Sequence, residues 1–266
     1  MVIYKKDYKS INQMLKDFDT KPNNQPFCRR TVKTTSSSYF NHNTDYNTAC
    51  ELIRNGWDEG TKMLKKAKKA IKIPENKITK RSPYGFYPII PMAMIGDPNS
   101  MIYKKSDKTR KIINIYYDTG NLSHVESDLM LKAGALALTY VNELERTGNV
   151  DINLYTQAMA EDRDEILRIS LRIKDAGKAF SLRRVAFPMI HPAMHRMIVF
   201  RAREINEDIK NRWSGYGRTV DPRTYTPDDF ILPSTQTLLK MKYNFTENNY
   251  EKYCEIVANY NKGITL

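Results

Sequence analysis

The sequence predicts an α/β fold in which helices pack on a small mixed sheet. A strand, a long helix and a second strand follow one another over residues 112–156, and a period of two over residues 166–173 indicates a further strand. Of the 266 residues, 41% are hydrophobic and 27% are charged, which is typical of a folded protein rather than a disordered one. We therefore expect a parallel strand–helix–strand unit and an antiparallel edge strand.

The first 111 residues are predicted to lie outside the sheet. A short helix is compatible with the apolar spacing of residues 5–18, and a long helix is predicted over residues 48–72, where Thr48 and Glu51 have capping-box spacing. Four prolines within residues 82–103 exclude a regular helix or a central strand. We divide the chain into a polar N-terminal segment (1–43), a basic helix and Pro-rich loop packed on the body (44–111), and an α/β body with C-terminal helices (112–266).

The body opens with a strand at residues 112–117, a short run rich in β-branched and aromatic residues. Ser123 and Glu126 repeat the capping-box spacing and open the longest helix, residues 124–147. The next strand is predicted at residues 150–156. A parallel, right-handed crossover between the two strands is the expected connection.

The remaining elements follow from periodicity. Residues 166–173 alternate between apolar and polar side chains, which predicts a half-exposed antiparallel strand at the edge of the sheet. A helix is predicted over residues 192–210 with Pro192 at its first position. We interpret residues 214–227 as a loop and expect one or two helices within residues 234–262.

All of the net charge of +13 lies before residue 112. Residues 1–111 hold 23 basic and 10 acidic residues, so the remainder holds 43−23=20 basic and 30−10=20 acidic residues. A one-sided excess attracts polyanions, whereas a charge run by itself is as compatible with a solvated helix face and loop. The residues predicted to contact phosphate are Lys65, Lys66, Lys69, Lys72, Lys80, Arg81, Lys104 and Lys105, with Arg168 and Arg172 as a second small basic stripe and Tyr84, Phe86, Tyr87 and Tyr103 as nearby stacking candidates.

Signals for catalysis or metal binding are weak. His191 and His195 have the spacing of two metal ligands on a helix, but Pro192 stands where a zinc protease needs its glutamate, so a capping His191 and a packed or phosphate-facing His195 are favoured. Asp118 follows a strand at the edge where α/β sheets bind ligands and could bind a cation, although a polar turn is the favoured interpretation. We expect no cofactor, and the sequence leans against an enzyme.

The sequence also predicts a cellular setting. No apolar run approaches the roughly 20 residues that span a bilayer, and the opening MVIYKKDYKSIN lacks the apolar core of a signal peptide. The three cysteines are an odd and widely spaced set, so no disulfide framework is expected. These features favour a reducing, intracellular environment without membrane association.

Five segments together resemble a family of tailed-bacteriophage proteins without an established function. They are GWDEGTK (56–62), PIIPMAMIGDPNSM (88–101), LERTG (144–148), HPAMHRMIVFRARE (191–204) and SGYGR (214–218). The resemblance implies a phage-encoded protein that acts in the host bacterial cytoplasm or in the virion. It implies no catalytic residues.

The predicted order of strands is similar to the opening half of a von Willebrand factor A-type sheet. The metal motif of that family requires hydroxyl residues two and four positions after Asp118, where this chain has Gly120 and Leu122. The motif is therefore degenerate, which argues against metal-dependent adhesion.

The function predicted first is a non-catalytic, nucleic-acid-associated role in replication, packaging or regulation, with DNA or RNA as the partner. The alternative is a virion structural or host-protein interaction component whose basic face meets an acidic protein surface. A third hypothesis is a metal-dependent hydrolase that uses Asp118 or the pair His191 and His195. An oligomer is compatible with each.

Overall fold

The computed structural model describes most of the chain, in two compact units. One unit is formed by Met1–Lys72 and Lys111–Leu266, and the other by Ile73–Arg110. The residues described are 1–22, 31, 43–71, 81–82, 87–88, 94, 96–97, 101–102, 110–121, 125–147, 150–179, 181–209, 216–247, 249–262 and 264.

The larger unit is built on a mixed six-stranded sheet, which confirms the predicted fold class. The strand order is β1-β7-β6-β5-β9, and β8 pairs with β6. Neighbours are parallel in β1/β7, β5/β6 and β5/β9 and antiparallel in β6/β7 and β6/β8. The smaller unit holds the antiparallel order β2-β4-β3. The strands are β1 Val2–Tyr8, β2 Arg81–Ser82, β3 Tyr87–Pro88, β4 Met101–Ile102, β5 Lys111–Asp118, β6 Val150–Asp162, β7 Glu165–Lys174, β8 Arg218–Thr219 and β9 Phe230–Leu232.

Helices cover one face of this sheet with two hydrophobic clusters. One cluster joins inward residues of β5, β6 and β9 to the long helix α4, and the other joins β7 and the end of β1 to the N-terminal helices and to a π-helical turn at Met194–Val199. The α-helices are α1 Ile11–Thr20, α2 Tyr46–Asn55, α3 Asp58–Ala70, α4 Ser127–Thr147, α5 Leu182–Ile190, α6 Phe200–Glu204, α7 Pro222–Tyr225, α8 Thr235–Lys240 and α9 Tyr250–Tyr260. No helix in the described ranges is long and apolar enough to cross a membrane.

The predicted strand–helix–strand unit is present as β5, α4 and β6, with the two strands parallel. The strand predicted at 166–173 is present as β7 and is antiparallel to β6, but it is not an edge strand, because β1 pairs with its other side. The helix expected within residues 5–18 begins later than predicted, because residues 5–8 belong to β1. It begins after Ser10, whose side chain accepts a hydrogen bond from the Gln13 amide. The proposed cap Ser123 lies outside the described residues.

The helix predicted at 48–72 is two helices, α2 and α3, separated at Gly56. The φ of Gly56 is +86°, and a Cβ at this position would lie 2.6 Å from Arg183 Cγ and 2.9 Å from its carbonyl oxygen. Only glycine tolerates this combination of backbone conformation and close approach. Asp45, rather than Thr48, caps α2, because its carboxylate accepts a hydrogen bond from the Thr48 amide at 2.7 Å.

The C-terminal half contains more elements than the sequence predicted. The helix expected at 192–210 is present and begins at Pro192 as predicted, but its middle, Met194–Val199, is π-helical and its last part, α6, ends at Glu204. The helix α5 and the strand β9 were not predicted, and the loop expected at 214–227 contains β8 and α7. The helices expected within 234–262 are present as α8 and α9.

Candidate anion-binding cleft

A cleft of about 190 Å³ lies where β1 and β7 end and α1 begins. Because β1 and β7 are parallel, their carboxyl ends lie together at one end of the sheet, and ligands of open α/β sheets usually bind at the carboxyl ends of parallel strands. The strands β5, β6 and β9 run the other way, so Asp118 lies toward the opposite end. The charged residues that line the cleft are Lys9, Arg54, Arg172, Lys174 and Arg184, with Asp175 as the single acidic residue among them.

Three of these five basic side chains have no ion-pair partner in the part of the chain that the structure describes. Arg172 Nε lies 3.0 Å from Asp175 Oδ1, and Lys174 Nζ lies 2.6 Å from Glu145 Oε1. Lys9, Arg54 and Arg184 form no ion pair with any residue in the described ranges. The cleft therefore presents a net positive charge to solvent.

The local sequence explains how the rim of the cleft is held. Ser10 caps α1 by accepting from the Gln13 amide at 3.2 Å, and Gln13 Oε1 accepts at 2.8 Å from the amide of Lys9, the residue before the cap, in a variant of the capping box. The first helical residues, Ile11 and Asn12, line the cleft. The amides of a first helical turn carry partial positive charge, so this end of α1 adds to the field of the basic side chains.

Lys174 and Arg172 have different roles in this arrangement. Lys174 is buried, and its Nζ donates to Glu145 Oε1, to the Ile152 carbonyl at 3.1 Å and to the Asp175 carbonyl at 3.3 Å. It therefore serves as part of the cleft wall. Arg172 is partly exposed, and its Nε also donates to the Lys9 carbonyl at 3.2 Å, which joins the end of β7 to the start of α1.

A second basic surface follows α3. Gly60 and Leu64 are buried on one side of this helix, whereas four lysines at helical spacing are exposed on the other side and form no ion pair with the described residues. We call these the α3 lysine stripe. Asp58, at the start of α3, pairs at 2.9 Å with Arg183, the neighbour of the cleft residue Arg184. The α3 helix therefore begins beside the cleft. The stripe consists of Lys62, Lys65, Lys66 and Lys69.

The family described as a domain of unknown function, DUF7192, matches residues 2–257. The chain belongs to the DUF7192 family. No curated protein and no solved structure matches it.

In this DUF7192 member, the residues predicted to contact phosphate lie in several different places. Lys65, Lys66 and Lys69 are exposed on the α3 lysine stripe, and Arg172 lines the cleft. The Arg81 backbone is in β2, but its side chain is outside the described part of the chain. Four other residues predicted to contact phosphate lie outside the described ranges, namely Lys72, Lys80, Lys104 and Lys105. The stacking candidates Tyr84, Phe86 and Tyr103 also lie outside them.

Arg168 does not belong with the phosphate-binding residues of the DUF7192 chain. It is only 3% exposed, its Nη1 lies 2.5 Å from Asp229 Oδ2, and its Cζ lies 4.3 Å from the centroid of the Tyr116 ring. The sequence placed Arg168 on a half-exposed edge strand, but β1 pairs with that edge, and Asp229 and the Tyr116 ring lie against the guanidinium. The guanidinium is therefore held within the fold.

The two histidines do not form a metal site. His191 caps the end of α5, its Nδ1 accepts from the Ala193 amide at 3.0 Å, and its ring stacks on Phe187 with centroids 4.9 Å apart. Burial lowers the pKa of His195 well below its usual value, and the nearby Arg203 and Arg196 lower it further, so His195 is neutral at pH 7. The described residues contain no group of three or more side chains that could hold a metal ion.

Asp118 closes β5 in a buried polar turn. It is 2% exposed, and its Oδ1 accepts from the Gly120 amide at 2.8 Å. Burial raises the pKa of this carboxyl to about 8, although the hydrogen bond from Gly120 opposes the shift. A buried carboxyl that is largely protonated at neutral pH is a poor cation ligand, so the geometry favours the polar turn over the metal site.

Sequence reasoning missed Lys9, Arg54 and Arg184, because each is an isolated charge in a different part of the chain. The readable signal was the capping box formed by Ser10 and Gln13, which places Lys9 at a helix amino terminus. These three basic side chains meet at the cleft only because β1 pairs with β7 and α2 packs beside α5.

Proposed function

We propose that this chain binds nucleic acid through the phosphate backbone and performs no chemistry on it. The observation that carries the proposal is the cleft itself, in which Lys9, Arg54 and Arg184 lie at a helix amino terminus and form no ion pair with the described residues. Phosphate oxygens are acceptors that suit Arg guanidinium groups and helix amides. The separate α3 lysine stripe supports a polymer, which offers many phosphates, rather than a single small anion.

The two basic surfaces would bind different phosphates of the same strand. The cleft would hold one phosphate through Arg54, Arg184 and Lys9, while the α3 lysine stripe would neutralise neighbouring phosphates without a fixed geometry. From Lys62 to Lys69 the helix rises about 10 Å, at roughly 1.5 Å per residue. This length accommodates a few successive phosphates of one strand. The resemblance to phage proteins supports replication, packaging or regulation in a bacterial host as the setting.

Charge reversal in the cleft should weaken binding without unfolding the protein. We expect the double variant Arg54→Glu/Arg184→Glu to bind a fluorescein-labelled DNA or RNA oligonucleotide at least tenfold more weakly than the wild type in fluorescence anisotropy at low salt. Both side chains are exposed and lack ion-pair partners among the described residues, so their loss should cost little stability. The matched control is Lys240→Glu, an exposed charge at the end of α8, which should bind within twofold of the wild type.

Undetectable affinity of the wild type for single- and double-stranded DNA and RNA would overturn the proposal. So would equal losses in the cleft variant and in Lys240→Glu, because they would indicate a response to net charge alone. A stable complex with an acidic protein in nuclease-treated lysate, together with no affinity for nucleic acid, would replace nucleic acid with a protein partner.

The salt dependence of binding tests the number of phosphate contacts. Each phosphate that a basic side chain neutralises releases condensed counterions, so the logarithm of affinity should fall linearly with the logarithm of salt concentration. Reversing Lys65, Lys66 and Lys69 together should reduce the steepness of this line by about two to three units, at roughly 0.7–0.9 per contact. Anisotropy titrations between roughly 50 and 300 mM NaCl measure this slope for the wild type and for the variant. An unchanged slope would remove the stripe from the interface.

A further inference from the structure

Two tyrosine rings stand side by side on the sheet face opposite the helices. Tyr116 on β5 and Tyr155 on β6 are register partners, and their rings stack with centroids 4.9 Å apart and planes 28° apart. Both side chains are partly exposed. The preceding pair on the same face, Asn114 and Asn153, is joined by a hydrogen bond of 3.1 Å. The rings are therefore ordered by cross-strand contacts while part of each remains accessible.

This sheet face is partly exposed at residues 112–116, whereas farther along it is buried at Met159, Ile166 and Arg168. Side chains alternate along β5, so Ile113, Ile115 and Tyr117 enter the core beneath the helices, whereas Ile112 is 64% exposed and Asn114 is exposed. An exposed isoleucine beside two partly exposed tyrosines forms a partly accessible apolar and aromatic surface. A ligand that binds both this surface and the basic cleft has both apolar and anionic parts.

The tyrosine pair adjoins the cleft through Arg172. Arg172 is the register partner of Tyr155 on β7, and it also lines the cleft. The register of β6 and β7 shifts between Leu154 and Tyr155, which is a β-bulge at this point. Bulges redirect side chains and occur often beside functional sites. Adjacent strands lie about 4.8 Å apart, so the backbones of Arg172 and Tyr155 are one strand spacing from each other.

Tyr155 has an aromatic neighbour on one adjacent strand and a basic neighbour on the other. Its ring stacks on Tyr116 of β5, and its register partner on β7 is Arg172. The Arg168 guanidinium, which like Arg172 belongs to β7, lies 4.3 Å from the centroid of the Tyr116 ring and restrains that ring. An aromatic ring and a guanidinium group are the two kinds of surface on which proteins stack unpaired bases.

We propose that Tyr155, supported by Tyr116, stacks on an unpaired base of a single-stranded nucleic acid whose phosphate occupies the basic cleft. This inference rests on the nucleic-acid binding proposed above and specifies its substrate as a single strand. In a duplex the base faces are covered by neighbouring base pairs, so only a single strand or a loop can use the ring. Stacking of this kind tolerates any base, because every base has a π-face.

The test compares Tyr155→Leu with the wild type on two matched substrates, a labelled single strand and the duplex that contains it. The variant should bind the single strand roughly 5- to 100-fold more weakly, as expected for the loss of one stacked base, and bind the duplex within twofold of the wild type. Tyr155→Phe keeps the ring and should bind both substrates as the wild type does. The control Tyr4→Leu removes a tyrosine that packs into the core on the opposite face, and it should leave the ratio of the two affinities unchanged.

Photochemical crosslinking provides a test that needs no variant. Wild-type protein irradiated with a strand containing 5-iodouracil should crosslink within the peptide that carries Tyr155 or the one that carries Tyr116. Crosslinks confined to other peptides would overturn the stacking inference, as would equal affinity of Tyr155→Leu and the wild type for the single strand. Either result leaves phosphate binding in the cleft standing, whereas absence of all nucleic-acid binding by the wild type removes both proposals.

Discussion

Replacing Asp229 by alanine is expected to lower the free energy of unfolding by about 2–3 kcal/mol, because it leaves the buried Arg168 guanidinium without its counter-charge. The Arg168 side chain is only 4% exposed, and the Asp229 side chain is 27% exposed. The exposure of Asp229 places the expected loss at the lower end of the range for broken buried ion pairs. Urea unfolding followed by circular dichroism at pH 7 measures the change.

A second substitution separates the buried charge from other effects of removing Asp229. Adding Arg168→Met to Asp229→Ala should recover most of the lost stability, because methionine fills the apolar volume of the arginine and carries no charge. The matched control is Asp228→Ala, an exposed neighbour that should remain within about 0.5 kcal/mol of the wild type. If the double variant is no more stable than Asp229→Ala, the uncompensated guanidinium is not the cause.

Arg168 also shows where the sequence stops being informative. The alternation over residues 166–173 identified a strand and its two faces, because side-chain direction has a local period of two. The same alternation is compatible with either a solvated or a covered polar face. The Arg168 side chain contacts a tyrosine ring on β5 and a carboxylate 61 residues later, and β1, more than 160 residues earlier, pairs with the free edge of its strand. A pattern within eight residues carries no signal for partners at that distance.

The strand β1 was missed for a related reason. Residues 5–8 precede a helix with clear apolar spacing, and the helix pattern was extended backwards over them. A parallel pairing such as β1 with β7 has no hairpin turn to mark it, unlike the antiparallel pairing of β6 with β7, whose strands are joined by a two-residue turn at Arg163 and Asp164. The β5–α4–β6 unit was predictable because each of its parts is long and strongly patterned.

The cleft shows the limit of reading charge along the chain. The high density of lysine along α3 correctly predicted an exposed basic surface, because the four members of the α3 lysine stripe lie within one helix. Lys9, Arg54 and Arg184 are unremarkable in sequence, yet the fold places all three around one cavity. Charge density along the sequence locates helical faces, whereas a binding cleft depends on tertiary contacts between distant segments.

Asp118 should make the stability of the protein decrease with rising pH between about pH 4 and pH 8. Burial raises the pKa of its carboxyl in the folded state to about 8, while an unfolded aspartate titrates near 3.9. Within that interval the folded state binds more protons than the unfolded state, so this group's contribution to stability is complete below about pH 4 and is lost as the pH approaches 8. The expected slope is at most about 1.4 kcal/mol per pH unit.

The variant Asp118→Asn isolates this effect, because an amide has nearly the shape of the protonated carboxyl, does not titrate, and can still accept the hydrogen bond from the Gly120 amide. The stability of the variant relative to the wild type should therefore rise between pH 5 and pH 8, by on the order of 3 kcal/mol, in urea unfolding across that range. Asp164→Asn, in the exposed turn between β6 and β7, is the matched control and should give a curve parallel to that of the wild type. Parallel curves for Asp118→Asn and the wild type would mean that the carboxyl is already ionised at pH 5. The turn that closes β5 would then hold a buried anion, which would restore Asp118 as a candidate cation ligand.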